Sequence, residues 1–359
     1  MKNLLLSALI LILFSCSETK KEQPVSYRSG FKTIHAVDRT RIYKPGTDST
    51  DYLHYRPLDI DVWYPAKVSE NDSVLLFRSL LGLLEKRAIY YTGSNDWKGI
   101  TSQIAKSFCD GFKCSDTKRL LDFKTRSYSN APAIDSKFPL IIYLCAFNGM
   151  SYENYTLFED LAEKGFVIGS ISSIGRYPGD MTMKKEDLME QVYDAIASVE
   201  AVRKNSNIDF SKIGIIGYSW GGLSGAILSA MIQDVSCLVS LDGSEYHPYG
   251  ESKEEDAEFN GILNSEEFKK LSLPVTYLRL ESSPDTGTAK TVSVFNFSEK
   301  LTGKKQIIRI DSAKHEDFSC LSEIVRKSGN CTINEHFNNI SKRTVSFMEE
   351  HLKNAESLK

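Results

Sequence analysis

The chain has 359 residues, of which 41% are hydrophobic and 25% charged, and 44 Lys and Arg against 47 Asp and Glu leave a net charge of −3. This composition is typical of a globular protein and excludes a disordered, collagen-like or polytopic membrane protein. The nearly balanced charge lacks the basic character of nucleic-acid-binding proteins, so we expect no nucleic-acid partner. The length admits one large α/β domain or two smaller ones.

The N-terminal segment is predicted to be an export signal. Lys2 supplies a positive charge, residues 4–14 are apolar and uncharged, and the sequence becomes polar directly after Cys16. Such a run is too short to span a bilayer, which favours a cleaved signal at residues 1–15. The segment LFSC that ends at Cys16 resembles a bacterial lipobox. This resemblance implies that Cys16 is acylated and becomes the mature N-terminus.

A lipid-bearing Cys16 would hold the protein at a membrane, since two or three acyl chains give a stable anchor. The next residue is Ser17 and not the Asp that retains lipoproteins at the inner membrane of familiar Gram-negative bacteria. We therefore expect the outer membrane of a bacterial cell envelope, on its periplasmic or surface face. The polar residues 16–30 are interpreted as a tether, and residues 31–359 as one domain.

Export also changes what is expected of the other six cysteines. Two pairs are close enough in sequence for disulfides in an oxidising compartment: Cys109 with Cys114, and Cys320 with Cys331. Cys145 and Cys237 lie inside apolar runs and are predicted to be buried thiols. The sequence has no CxxC spacing with clustered histidines, so no metal is expected.

The first half of the chain predicts strands followed by a helical insertion. Residues 31–37 and 58–64 alternate apolar and polar side chains, which favours two antiparallel strands with one buried face. Residues 74–109 have helical spacing and lead into a polar stretch that ends at Asp135. This insertion, near 74–135, either covers the core or caps a site.

From residue 138 onward, apolar runs alternate with helix-like segments. Strands are predicted at 139–144, 166–171, 213–217, 235–241, 275–280 and 306–310, and helices at 152–164, 184–204, 221–233 and 335–353. Continuous apolar runs are typical of parallel strands that are covered on both faces. We therefore predict a mostly parallel, doubly wound α/β sheet with antiparallel N-terminal strands and helices on both faces.

The chemical signal is the pentapeptide GYSWG, residues 217–221. It lies between a predicted strand and a predicted helix, where small residues permit the tight turn that exposes a nucleophilic serine, here Ser219. A serine hydroxyl needs a neighbouring base and an orienting carboxylate. Of the six histidines, His315 follows the predicted strand 306–310 by a short loop, which places it at the carboxyl edge of the sheet beside Ser219.

The sequence alone leaves the acid open. Asp242 follows the strand after Ser219, whereas Glu281 and Asp285 follow the next strand. Both strand ends point toward the same edge of the sheet. Position does not separate the two alternatives.

Several segments together resemble the platelet-activating-factor acetylhydrolase and dienelactone-hydrolase-like branch of the α/β-hydrolases. They are RPLDIDVWYPA at 56–66, residues 137–168, GYSWGG at 217–222, LDG at 241–243 and KHEDFS at 314–319. The resemblance covers about residues 31–352 and implies the α/β-hydrolase fold and a serine esterase of short acyl groups such as acetyl, without a cofactor. It also implies that Asp242 is the acid in preference to Glu281. Ser219 stands where dienelactone hydrolase itself has a cysteine.

The resemblance further implies an oxyanion hole built from two backbone N–H groups. Trp220, directly after the nucleophile, supplies one, and the loop after the strand 139–144 supplies the other. This loop reads CAFNG at 145–149 where the family has a His-Gly pair, and Phe147 is the best positional match for the second donor.

The expected function is therefore hydrolysis of a small-molecule, lipid or glycan ester through an acyl-enzyme on Ser219. A serine peptidase or an acyltransferase would use the same triad. A non-catalytic surface binding protein with this fold is favoured only by the altered loop at 145–148. The oligomeric state cannot be read from the sequence.

Overall fold

The computed structural model of the protein describes residues 26–112, 116–204, 207–245, 257, 261–262, 264–265, 272–283, 297–329 and 331–353. The predicted signal, Cys16, Cys114 and Asp285 lie outside these ranges. Within them, no helix is both long enough and apolar enough to cross a bilayer.

Ten strands form one sheet in the order β10-β9-β8-β7-β5-β6-β2-β1-β4-β3. The strands are β1 (Arg28–Ile42), β2 (Tyr55–Ala66), β3 (Val74–Leu76), β4 (Lys124–Ser129), β5 (Phe138–Leu144), β6 (Val167–Ile171), β7 (Ile208–Tyr218), β8 (Val235–Leu241), β9 (Thr276–Glu281) and β10 (Lys305–Arg309). Strands β5 to β10 pair in parallel with one another. Strand β2 is antiparallel to both β1 and β6. The predicted mostly parallel sheet with antiparallel N-terminal strands is confirmed.

Helices cover both faces of this sheet. The described α-helices are α1 (Phe77–Thr92), α2 (Ile100–Gly111), α3 (Thr117–Leu121), α4 (Tyr155–Glu163), α5 (Lys185–Val202), α6 (Trp220–Met231), α7 (Cys320–Gly329) and α8 (His336–Leu352). Alternate residues of β5 enter different apolar clusters: Ile141 and Tyr143 pack with α4, α7 and α8, whereas Leu140 and Ile142 pack with α5 and α6. Because successive side chains of a strand point to opposite faces, the core has one layer on each side of the sheet.

The predicted insertion near 74–135 comprises β3, α1 to α3 and β4. Its apolar side chains, among them Phe77, Leu80 and Leu120, are buried in the same cluster as α4, so the insertion covers the core. Strand β4 was not predicted because its inward-facing residues are polar. Ser127 is buried, and its hydroxyl lies 3.0 Å from that of Ser29 on β1.

The predicted disulfide pairs are wrong. Cys109 and Cys320 are free, buried thiols, whereas Cys331 is disulfide-bonded. Cys320 begins α7, and its thiol donates to the backbone oxygen of Glu153 at 3.2 Å. Closeness in sequence does not decide which way a side chain points, and these two point into the core. Cys145 and Cys237 are buried and free, as predicted.

Candidate active site

Ser219 is the single residue between β7 and α6. Its backbone has φ 54° and ψ −120°, a conformation that residues other than glycine rarely adopt. Three backbone hydrogen bonds hold this turn: the Ser219 N–H donates to Leu241 O at 3.0 Å, and the Ser219 carbonyl accepts from Gly222 and Ser244, both at 2.9 Å. The sharp turn exposes the hydroxyl at the carboxyl end of the sheet, as the pentapeptide predicts.

The glycines of the pentapeptide are required by close backbone packing. A Cβ on Gly217 would overlap the carbonyl oxygen of Gly221. A Cβ on Gly221 would overlap the carbonyl oxygen of Leu144, the last residue of β5. Larger residues at either position would therefore force helix α6 away from the sheet and open the turn at Ser219.

A continuous hydrogen-bonded chain links Ser219, His315 and Asp242. The Ser219 Oγ lies 3.0 Å from His315 Nε2, and His315 Nδ1 lies 2.8 Å from Asp242 Oδ2. Both distances are within the range for proton transfer between a nucleophile, a base and its orienting acid. His315 opens the short 3₁₀ turn His315–Phe318 that follows β10, and its side chain is 37% exposed against 1% for Asp242.

Asp242 is held at the end of β8 in a left-handed conformation with φ 48°. Its Oδ1 accepts from the Ser282 N–H at 2.9 Å and lies 3.9 Å from the Arg279 guanidinium. Burial raises the pKa of Asp242, but the hydrogen bond and charge of His315, with Ser282 and Arg279, outweigh it and leave the pKa below its usual value. The carboxylate is therefore ionised at neutral pH and suited to orient the His315 ring.

The alternative acid, Glu281, is engaged elsewhere. Its carboxylate pairs with Arg309 Nη2 at 2.9 Å and with Arg279 Nε at 3.2 Å, at the edge of the sheet formed by β9 and β10. The structure thus brings Asp242, and not Glu281, against His315.

Tyr218 also contacts the site, although no pattern in the sequence predicts this contact. Its ring stacks on the His315 imidazole, with centroids 5.2 Å apart and planes 26° from parallel. Its hydroxyl donates to the His315 backbone oxygen at 3.1 Å. Tyr218 therefore limits the positions that the His315 ring can adopt by packing against its face.

The loop after β5 lies beside the turn at Ser219, since Leu144 of β5 is opposite Gly217 of β7 in the sheet. The Phe147 ring packs edge-on against the Trp220 ring, with centroids 5.8 Å apart. Among the residues that the structure describes, none accepts a hydrogen bond from the Phe147 N–H. The Asn148 side chain accepts a hydrogen bond from the Met181 N–H at 2.8 Å, which connects this loop to the segment that precedes α5. The side chains of the predicted donors Trp220 and Phe147 are thus in contact.

Comparison with known proteins agrees with this architecture. Residues 125–260, which include Ser219 and Asp242, match the model of the dienelactone hydrolase family. The chain has the α/β-hydrolase fold. A ferulic acid esterase from Streptomyces cinnamoneus is similar over 92% of this chain and 92% of its own, with TM-score 0.61 and 17% identity.

A second, weaker structural match is Est1E from Butyrivibrio proteoclasticus with ferulic acid bound. It covers 60% of this chain and 90% of its own, with TM-score 0.43 and 16% identity. No protein with a curated description matches the sequence. The predicted α/β-hydrolase fold and the resemblance to dienelactone-hydrolase-like proteins are confirmed.

Proposed function

We propose that this α/β-hydrolase is a serine carboxylic-ester hydrolase with Ser219 as its nucleophile. The observation that carries the proposal is the unbroken hydrogen-bonded chain from Ser219 through His315 to the buried Asp242. The match of residues 125–260 to the dienelactone hydrolase family supports ester hydrolysis.

In the first half-reaction, Ser219 Oγ attacks the ester carbonyl carbon while His315 Nε2 takes its proton. Asp242 holds Nδ1–H and stabilises the imidazolium that forms. The tetrahedral intermediate collapses when His315 returns the proton to the departing alcohol. An acyl-enzyme on Ser219 remains. Water, deprotonated by His315, then attacks the acyl carbon. The second tetrahedral intermediate collapses when His315 returns this proton to Ser219 Oγ, which releases the acid and regenerates the free serine.

The negative charge on the carbonyl oxygen needs donors that are in place before the reaction. We assign this role to the backbone N–H groups of Trp220, at the start of α6, and Phe147, in the loop after β5. A backbone donor acts whatever side chain it carries. The altered side chains of the loop at 145–149, where the family has a His-Gly pair, therefore need not remove the second donor.

We propose short acyl groups such as acetyl as substrates, on a small-molecule, lipid or glycan alcohol. The proposed setting is the bacterial cell envelope, with the protein attached to the outer membrane through lipid on Cys16. Both proposals rest on the sequence resemblances. They are separate from the Ser219 assignment and are tested separately.

The assignment is tested with Ser219→Ala and p-nitrophenyl acetate. Ser229→Ala is a matched control, because Ser229 is a buried serine of helix α6, the helix that follows Ser219, and its hydroxyl donates to Ala226 O. We expect Ser219→Ala to lose hydrolysis and labelling by a fluorophosphonate, and Ser229→Ala to keep both. Undiminished hydrolysis in Ser219→Ala would overturn the proposal, and a folded wild-type protein that does not react would indicate a non-catalytic scaffold.

The substrate class is tested with p-nitrophenyl esters of increasing acyl length, followed by acetylated glycans, phospholipids and feruloyl esters. We expect kcat/KM to fall as the acyl chain lengthens. A maximum at long chains or at feruloyl esters would contradict the acetyl proposal while leaving the Ser219 assignment intact. Faster cleavage of an amide, or transfer to an added alcohol in preference to water, would indicate a peptidase or an acyltransferase.

A further inference from the structure

A buried carboxylate lies directly beneath the loop that carries Phe147. Glu153, in the turn before α4, is only 5% exposed. Its Oε1 accepts from the Tyr143 hydroxyl at 2.9 Å and from the Ala146 N–H at 2.8 Å. A Cβ on Gly149 would lie 2.6 Å from its Oε2, so the far end of the loop also passes close over this carboxyl group.

The backbone of Glu153 contacts the segment that carries the histidine. Its carbonyl oxygen accepts from the Ser319 hydroxyl at 2.8 Å and from the Cys320 N–H at 3.2 Å. These residues follow the turn His315–Phe318 directly. One residue thus contacts the loop after β5 through its side chain and the histidine segment through its backbone.

Asn154 adds hydrogen bonds between the turn before α4 and the segment that follows His315. Its Nδ2 donates to the Phe318 carbonyl at 3.1 Å, and its Oδ1 accepts from the Cys320 N–H at 2.9 Å. The same Nδ2 lies 2.8 Å from the Tyr143 hydroxyl, which donates to Glu153. The two segments are therefore joined by a buried polar network that crosses between distant parts of the sequence.

We propose that Glu153 is a positioning residue that fixes the loop at residues 145–149 relative to the turn carrying His315, and so sets the position of the Phe147 N–H against Ser219. The inference deepens the proposed esterase function and rests on it. Glu153 does not touch the reacting atoms. It acts through Ala146, the residue immediately before Phe147.

Glu153 is suited to hold the Ala146–Phe147 peptide in position for two physical reasons. The Ala146–Phe147 peptide carries the proposed oxyanion donor, and a donor displaced by even a fraction of an ångström loses much of its effect on the transition state. Burial also makes the carboxyl group costly for the fold, since it raises the pKa of Glu153 to about 7. The buried carboxyl group nevertheless supplies a fixed acceptor for the Ala146 N–H.

The matched control is Glu159 in α4. Burial raises the pKa of Glu159 to about 7 as well, and its carboxylate accepts from Arg126 N–H at 2.6 Å and Ser127 Oγ at 2.8 Å, at strand β4. Glu159→Ala therefore removes an equally buried carboxylate without touching the loop. If removing a buried carboxylate only weakened the fold, Glu153→Ala and Glu159→Ala would lose activity to a similar extent.

The kinetic test compares Glu153→Ala, Glu153→Gln and Glu159→Ala with wild type on p-nitrophenyl acetate. Loss of a fixed oxyanion donor should lower kcat roughly 10- to 100-fold with KM within about threefold, because the interaction forms in the transition state. Glu153→Gln keeps one acceptor oxygen and should recover most of this loss. Glu159→Ala should keep the wild-type kcat. Equal kcat in Glu153→Ala and Glu159→Ala would overturn the inference.

Hydrogen–deuterium exchange supplies a readout that does not depend on activity. Amides of residues 144–150 and 315–321 should exchange faster in Glu153→Ala than in Glu159→Ala. If Glu153→Ala does not fold, Glu153→Asp against Glu159→Asp decides, since the side chain shortened by one methylene group withdraws its acceptor oxygen from the Ala146 N–H. Equal exchange in the pair overturns the positioning role. A wild-type protein without Ser219-dependent hydrolysis overturns the esterase proposal alone, and the exchange comparison still decides the role of Glu153.

Discussion

The α-carbon of Gly221 packs directly against the carbonyl oxygen of Leu144. Leu144 ends β5 and Gly221 lies in the first turn of α6, so this contact sets the first turn of the helix against the end of the neighbouring strand. The same contact places the turn at Ser219 beside the loop that begins at Cys145. Both proposed oxyanion donors depend on it.

Gly221→Ala is expected to destabilise the protein by at least about 2 kcal/mol and to abolish hydrolysis, because the added methyl group overlaps rigid backbone. Gly82→Ala in α1 is the control, since a Cβ there meets nothing within 4 Å. That substitution should stabilise the helix by about 0.5–1 kcal/mol. Urea denaturation and p-nitrophenyl acetate hydrolysis measure both effects. An active, stable Gly221→Ala protein would contradict the packing argument.

Asp242→Asn is expected to lower kcat by about 10³- to 10⁴-fold with the fold intact, because an amide no longer fixes the His315 tautomer or stabilises its charged form. Glu281→Gln should leave kcat within about threefold, since Glu281 pairs with Arg279 and Arg309. Steady-state kinetics on p-nitrophenyl acetate separate the two variants. A larger loss of kcat in Glu281→Gln than in Asp242→Asn would show that the acid is Glu281 and not Asp242.

Much of the fold could be predicted because the strands of the parallel sheet are continuous apolar runs. Residues 139–144 and 235–241 were predicted as strands and are observed as Phe138–Leu144 and Val235–Leu241. Strand β3 was missed because it has only three residues, and β4 because its buried residues are polar. Helix α4 begins at Tyr155 and not at residue 152, because the turn before it is fixed by tertiary hydrogen bonds of Glu153 and Asn154.

Ser219, His315 and the candidate acids Asp242 and Glu281 could be placed at one edge of the sheet because each follows a predicted parallel strand. The family resemblance, rather than position, favoured Asp242. Strand ends at one edge of a sheet meet, whatever their separation along the chain. Tyr218 and Glu153 had no such signal. Their contacts with His315 and Ser319 join residues 97 and 166 positions apart, and hydrogen bonds of this kind leave no periodicity in the sequence.

The four described free thiols, Cys109, Cys145, Cys237 and Cys320, are expected to resist alkylation in the native protein. They are buried, and burial raises the pKa of both Cys237 and Cys320 to about 12, so few thiolates form at neutral pH. In denaturant without reductant, iodoacetamide should modify these four but not Cys331, which is in a disulfide. Peptide mass spectrometry identifies which cysteines are alkylated under each condition. Modification of Cys331 before reduction, or protection of Cys320 in denaturant, would contradict this assignment.

Cys16→Ala is expected to move the protein from the membrane fraction to the soluble fraction and to abolish incorporation of labelled palmitate. The expectation follows from the lipobox-like segment that ends at Cys16. Cys109→Ala is the control, because Cys109 is a free thiol buried within α2 and its loss leaves the proposed anchor in place. Wild-type protein recovered without lipid would refute the anchor but not the esterase proposal.

The free energy of unfolding is expected to fall as the pH rises from about 4.5 to about 7. Burial raises the pKa values of Glu153 and Glu159 from 4.5 to about 7, so between these values the folded state binds more protons than the unfolded state. Each carboxyl group then costs stability on the order of 3 kcal/mol above pH 7. Urea denaturation at pH 5 and pH 8 measures the difference, and the double variant Glu153→Gln with Glu159→Gln should remove most of it. If the double variant kept the full pH dependence, the groups that titrate would not be Glu153 and Glu159. The carboxyl group of Glu153 would then be ionised in the folded protein without the loss of stability that its burial implies.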